Sequence, residues 1–177
     1  MPRRRIPFRA VNRPGQAGYD SGLQRHHLLP RQLLSQRCFG ALFEDVGRER
    51  IGYDDFRVNG LLLPANDPAA LRIGLPLHRG PHRAYNAMVG ERIGQIEHGW
   101  ARGRGRAPLA ARDEATMRIK LLQRALRRRL LDPVRRPLTL NRRQLGGPRL
   151  DFAELDAMAD VLWGALEASA RVSAQPA

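Results

Sequence analysis

One cysteine, Cys38, is all that 177 residues contain. An internal disulfide cannot form, so no disulfide framework holds the fold. No apolar run approaches the roughly 18 residues that span a bilayer, and a transmembrane helix is not expected. The N-terminal Met1-Pro2-Arg3-Arg4-Arg5-Ile6-Pro7-Phe8-Arg9 has a basic lead with no apolar stretch behind it, which argues against a secretory signal. A cytoplasmic location, or delivery into a target cell without a recognisable N-terminal signal peptide, is the expectation. Lysine is nearly missing as well: Lys120 is the single one. No internal repeat is visible, and nothing resembles a sequence reader such as a zinc finger or a helix-turn-helix.

Arginine stands where lysine and acid are scarce. Lysine and arginine number 31 against 17 acids, a net charge of +14, with a pI near 11.6. Residues 1–37 carry eight arginines against Asp20, and residues 101–149 carry fourteen arginines and Lys120 against three acids. Residues 38–100 are nearly neutral, and residues 150–177 set five acids against Arg171. Two basic flanks thus bracket a neutral middle. The planar guanidinium fork pairs with phosphate oxygens in a bidentate way, and a field of this sign draws in polyanions. Nucleic acid ranks ahead of an anionic membrane surface as the partner. Hydrophobic residues make up 42%, which excludes a wholly disordered tail protein.

Residues 1–21, with Pro2, Pro7, Pro14, Gly15 and Gly18, read as a basic extended arm. Gln24–Leu29 reads as a strand stopped by Pro30. Apolar residues at Leu33, Leu34, Phe39 and Leu42 predict a helix within 31–43. Arg57–Leu63 is strand-like, with Asn59-Gly60 as a turn or bulge and Asn66-Asp67-Pro68 as a loop. A helix follows Pro81, its stripe Tyr85, Val89, Ile93 and Ile96 running to about Glu97. Residues 99–110 read as an Arg/Gly linker. A long basic helix over 111–131 bears Ala115, Ile119, Leu122, Leu126 and Leu130, and an acidic amphipathic helix covers 151–168. These two make a helical extension over 111–170, followed by a tail at 171–177. Short strands followed by helices imply an α+β fold. Cys38, among apolar residues, is expected to be buried and inert.

Four of the five histidines fall into two pairs: His26-His27, adjacent, and His78 with His82, four apart. Residues four apart on a helix lie about 40° apart around its axis, so two imidazoles can reach one ion. Pro81 strains a regular helix through His78, which places His78 in the turn leading in. Neighbours on a strand point to opposite faces. One of His26 and His27 can then bind metal while the other meets substrate as a neutral base. Asn59 can tie backbone groups with its amide and hold the strand that carries the base. Two other readings stay open: His78 and His82 as helix-capping or surface residues, and a closed four-histidine zinc site without catalysis. His98 reads as a helix residue rather than a ligand.

Gln24-Arg25-His26-His27-Leu28-Leu29-Pro30, Asn59-Gly60-Leu61-Leu62-Leu63-Pro64 and His78-Arg79-Gly80-Pro81-His82-Arg83-Ala84-Tyr85-Asn86 resemble the three motif blocks of the AHH nucleases. That family belongs to the HNH, or ββα-metal, endonuclease superfamily and is frequent among bacterial polymorphic toxins. The resemblance covers roughly residues 22–98 and departs at Arg25, where the family has alanine. It implies a small ββα-metal core at 22–98, with His26, His78 and His82 as metal ligands and His27 as the general base. Asn59 would brace the ββ turn, and Arg83 or Arg79 would clamp the scissile phosphate. From charge rather than from the resemblance, which does not reach the 111–131 helix, Arg25, Arg31, Arg79, Arg118, Arg124 and Arg128 are expected to contact nucleic acid. The cofactor implied is one divalent metal ion, zinc or magnesium. Three imidazoles favour zinc or another transition ion, whereas magnesium prefers oxygen. The activity implied is largely non-sequence-specific endonucleolytic hydrolysis of DNA, with RNA second. An antibacterial toxin role, with an acidic immunity protein as partner, follows from the same resemblance. The competing expectation is a non-catalytic basic nucleic-acid-binding protein whose histidines hold a structural zinc.

Overall fold

The computed structural model describes residues 4–80, 82–132, 140 and 161. The chain divides into two units, Met1–Leu145 and Gly146–Ala177. Apart from residue 161 the second unit falls outside the described residues, and with it the acidic helix expected over 151–168 and the tail.

The first unit is α+β. Strand β1, Leu23–His27, pairs antiparallel with β2, Gly60–Pro64, in a two-stranded sheet that sets His26 opposite Leu61 and His27 opposite Gly60. Helix α4, Arg83–Gly103, completes the ββα arrangement, and α5, Pro108–Leu131, packs along it. Helices α1 (Gly40–Val46) and α2 (Phe56–Asn59) lie between the strands, and α3 (Asp67–Ile73) follows β2. The core joins Leu28, Leu29 and Leu33 to Leu42, Tyr53, Leu63, Val89, Ile93, Ile119 and Leu126, all at most 1% exposed. The unbroken Leu61-Leu62-Leu63 run has its cause here, since β2 is largely covered on both faces. Gly60 opens that strand because a Cβ there would come 2.3 Å from the Phe56 ring.

Several expectations change. The helix expected over 31–43 is two short 3-10 turns, Arg31–Ser35 and Arg37–Phe39, before α1, with Gln36 extended between them. The strand expected from Arg57 begins as the helical turn α2, whose first turn is capped by Asp55, accepting from the Arg57 backbone N–H at 3.0 Å. Asn66-Asp67-Pro68 is the start of α3 rather than a loop: Asn66 caps it by accepting from the Ala69 N–H, Pro68 sits in the first turn, and Gly74 ends it at φ 71°. The linker expected over 99–110 is mostly helix, because α4 continues through Trp100 to Gly103 and α5 begins at Pro108. Trp100 is buried there and donates to Asp45 at 2.7 Å, which carries the helix past its glycine. Cys38 is exposed, not buried. On α5 it is Gln123, not Leu122, that lies in the buried stripe.

The basic arm is no loose extension. Pro7 bridges Asp55, the Phe56 N–H donates to Ile6 O at 2.8 Å, and the Ile6 N–H donates to the Asp55 carboxylate at 3.2 Å. Arg25 Nη1 donates to Phe8 O at 3.0 Å. The segment around Phe8 is thereby strapped across one face of β1.

Candidate active site

Alternation along β1 divides the site in two. Gln24 and His26 go to one face, where both meet His78; Arg25 and His27 go to the other, where both meet Phe8. The first face holds three imidazoles whose ligating nitrogens all lie within 4.8 Å of one another: His26, His78 and His82. His82 is the residue just before α4, and His78 lies in the chain leading to it, anchored by its backbone N–H donating to Pro64 O at 2.7 Å. Gly80, at φ 73°, makes the bend that lets side chains four residues apart converge without a regular helix between them.

The outer nitrogens of this cluster are fixed. His82 Nδ1 donates to the carbonyl of Leu140 at 2.7 Å, and His78 Nδ1 to Gln24 Oε1 at 3.0 Å. A carbonyl can only accept, so the neutral His82 ring carries its proton on Nδ1 and turns a bare Nε2 inward. The Nε2 atoms of His78 and His82 stand 2.9 Å apart. Two lone pairs at that distance call for a positive centre between them. His26 adds a third: its Nε2 is buried and has no hydrogen-bond partner among the described residues, a state that costs about 1–3 kcal/mol unless something satisfies it. The edge of Tyr85 closes over His26 at 4.9 Å between ring centroids, and the Tyr85 hydroxyl donates to Leu28 O at 2.7 Å.

Burial, reinforced by repulsion from His78, His82 and His27, pushes the His26 imidazole down to about 2. Burial and then His82 push His78 down to about 4, and burial lowers His82. All three rings are therefore neutral at pH 7, the form that ligates a cation. Neutral imidazoles, two of them held by the Gln24 and Leu140 oxygens, fit a divalent ion, and nitrogen donors fit a transition ion better than magnesium. His26, His78 and His82 could hold it.

On the other face His27 is half-buried under Phe8, the rings parallel within 2° and 3.7 Å apart. Burial, and then the charge of Arg31 ahead of Arg25, pushes His27 down to about 4, with Asp54 pulling the other way. This ring too is neutral at pH 7, with one of its two nitrogens able to accept a proton.

A family model described as the AHH family, "a nuclease family of the HNH/ENDO VII superfamily with conserved AHH", matches residues 8–126. The chain belongs to the AHH nucleases. It is a metal-dependent endonuclease, hydrolysing phosphodiester bonds, and nucleic acid is its substrate. No curated protein and no solved structure matches it. The matched region exceeds the resemblance at 22–98: it begins at Phe8 and takes in most of α5. The chain's only adjacent histidine pair is preceded by Arg25 where the family description has alanine, and that arginine is the one clasping the Phe8 carbonyl.

Other predicted site residues scatter. Asn59 is fully buried, and its amide is spent on backbone groups. Its Oδ1 accepts from the Leu29 N–H at 2.8 Å and its Nδ2 donates to Tyr53 O at 3.0 Å. Arg83, on the first turn of α4, and Arg31 are exposed and unpaired among the described residues. Arg79 lies 3.7 Å from Asp67, and Arg118 pairs with Glu114 at 2.9 Å on the same helix. Arg124 and Arg128 are exposed on α5. Residues the sequence did not single out also contact or brace these groups: Phe8, Gln24, Leu140, Gln123 and Arg127. Of these only Gln24 left a signal, two positions before His26 and hence on its face of the strand.

Proposed function

We propose that this AHH nuclease cleaves DNA largely without regard to sequence, holding one transition-metal ion on His26, His78 and His82 and using His27 as general base. The observation that carries the reading is the orphaned, buried Nε2 of His26 beside two inward-facing imidazole nitrogens, with His27 kept apart on the opposite face of the same strand. A divalent ion at such a site supplies charge stabilisation for the phosphate and for the departing 3′ oxygen.

The chain's own groups do the rest. His27, neutral at pH 7, takes a proton from a water as that water's oxygen attacks phosphorus in line and the bond to the 3′ oxygen breaks. Arg83 and Arg31, exposed and without a partner among the described residues, would meet phosphate oxygens. Arg124 and Arg128 extend the basic surface along α5, giving affinity that depends on salt more than on sequence. DNA leads and RNA is second, because this machinery acts on the phosphodiester and not on the sugar. In a toxin setting, inside a target cell, the partner would be an acidic immunity protein matched to this basic surface. A closed four-histidine zinc site loses ground, since His27 stands on the wrong face to join the other three.

The test is incubation of supercoiled plasmid and of RNA with the full chain, with and without EDTA, across zinc, nickel, manganese and magnesium. Nicking that EDTA abolishes, that a transition ion restores, and that His27→Ala loses while keeping stoichiometric metal is the expected result. Wild-type nicking by His27→Ala overturns the assignment of the base. Cleavage of RNA alone overturns the substrate.

A further inference from the structure

We propose that Phe8 is a positioning residue for the hydrolysis: its ring, stacked face to face on His27, holds that imidazole in its working orientation. The inference rests on the reading of His27 as general base and deepens it. A catalytic base is ordinarily aimed by a third group hydrogen-bonded to its far nitrogen. His78 and His82 each have such a partner, in Gln24 and the Leu140 carbonyl. His27 has none among the described residues. What fixes its ring plane is the parallel contact with Phe8 at 3.7 Å.

The platform is itself well held. Phe8 meets the Phe56 ring edge-on at 5.2 Å, and its carbonyl is clasped by Arg25. The preceding residues are tied to Asp55 and Phe56 by the Ile6 bonds and the Pro7 bridge. Asp55 also caps α2, whose last residue, Asn59, accepts at its backbone carbonyl from Leu28 N–H at 2.8 Å, one residue past His27. The strap and the strand bearing the base are thus referenced to the same short helix. Arg25 gains a purpose: a small residue there could not reach the Phe8 carbonyl. The stack covers one ring face and leaves the nitrogen edges open, so it restrains rotation without occupying the atoms that accept the proton.

The experiment uses the full zinc-loaded chain. In the wild type, the His27 ring protons, assigned by their disappearance in His27→Ala, should resonate upfield of those of the exposed His98, as protons over an aromatic face do. Phe8→Leu should abolish that shift and lower kcat about tenfold or more, a misplacement effect, while KM and zinc affinity stay within about twofold. Phe8→Tyr, which keeps the ring, should restore both shift and kcat. Absence of the upfield shift in the wild type overturns the proposal, and that measurement needs no variant of Phe8 to fold. Full kcat in Phe8→Leu, or a loss confined to KM, overturns it equally. Should His27→Ala turn over normally, the base assignment fails instead, so the two failures are told apart.

Discussion

Asn59→Ala separates a brace from a catalytic group. The Asn59 side chain is wholly buried and makes four bonds: Oδ1 accepts from Leu29 N–H at 2.8 Å and from Gln123 Nε2 at 3.3 Å, while Nδ2 donates to Tyr53 O at 3.0 Å and to Leu29 O at 3.4 Å. Truncation leaves at least two buried backbone groups, Leu29 N–H and Tyr53 O, without partners, at about 1–3 kcal/mol each. With a small cavity added, the expected loss is about 3–5 kcal/mol, near the upper end for one substitution. Urea denaturation should show it as a lowered midpoint with unchanged slope. Gln123→Leu should be nearly neutral by comparison, within about 1 kcal/mol, because Gln123 Oε1 is already buried without a partner among the described residues and the leucine removes that cost along with one long bond. Below the melting transition, Asn59→Ala should keep its full metal content. A loss of kcat with stability lowered by less than about 1 kcal/mol would refute the reasoning, since it would mean the amide acts on substrate and not on the Leu29 backbone.

Gln24→Leu strips His78 Nδ1 of its acceptor and should weaken zinc binding by about 10- to 100-fold in competition with a chelating dye; unchanged affinity would remove Gln24 from the site. Arg127→Met deletes the guanidinium that donates to the Arg57 and Gly60 carbonyls, each at 2.7 Å, and should cost about 1–3 kcal/mol by urea denaturation. Arg124→Met and Arg128→Met, exposed on the same helix, should leave stability within about 0.5 kcal/mol but flatten the salt dependence of DNA binding. Burial raises the Tyr53 phenol above its ordinary value, and its hydroxyl donates to Pro30 O at 2.7 Å. The unfolded chain therefore releases that proton first as pH passes about 10, and this phenol should lower stability there by about 1.4 kcal/mol per pH unit. Tyr85, also raised by burial, adds a similar slope, so Tyr53→Phe should remove about half of the total from alkaline urea titrations.

The sequence was most legible where one residue's role follows from its neighbours' spacing. Alternation put His26 and His27 on opposite faces of β1, and a spacing of four brought His78 and His82 together, although a glycine bend and not a helix does the joining. The α4 stripe was read from periodicity because Tyr85, Val89, Ile93 and Ile96 all face one core. The failures share a cause. Asn66-Asp67-Pro68 carries the same residue types whether it is a loop or a helix start, and only the Ala69 N–H within reach of Asn66 decides. The 31–43 stretch has helical spacing of its apolar residues, yet 3-10 turns deliver Leu33 and Phe39 to the core as well.

The outer parts of the site left less trace. A backbone carbonyl at Leu140 fixes the tautomer of His82 from 58 positions away, and any residue type offers that carbonyl, so no pattern can announce it. Phe8 sits in a segment whose prolines and arginines argue for a solvated arm, and what pins it there is a carboxylate at Asp55, 49 residues from Ile6. Local spacing thus marks the groups that would grip a metal or take a proton, because each must share a face or a turn with its partner. The groups that aim them can come from anywhere the fold brings close. On the proposed reading of this AHH nuclease, the ligand triad would depend on Gln24 and Leu140, and the base on Phe8. The least legible residues are therefore those that should govern how well the legible ones work.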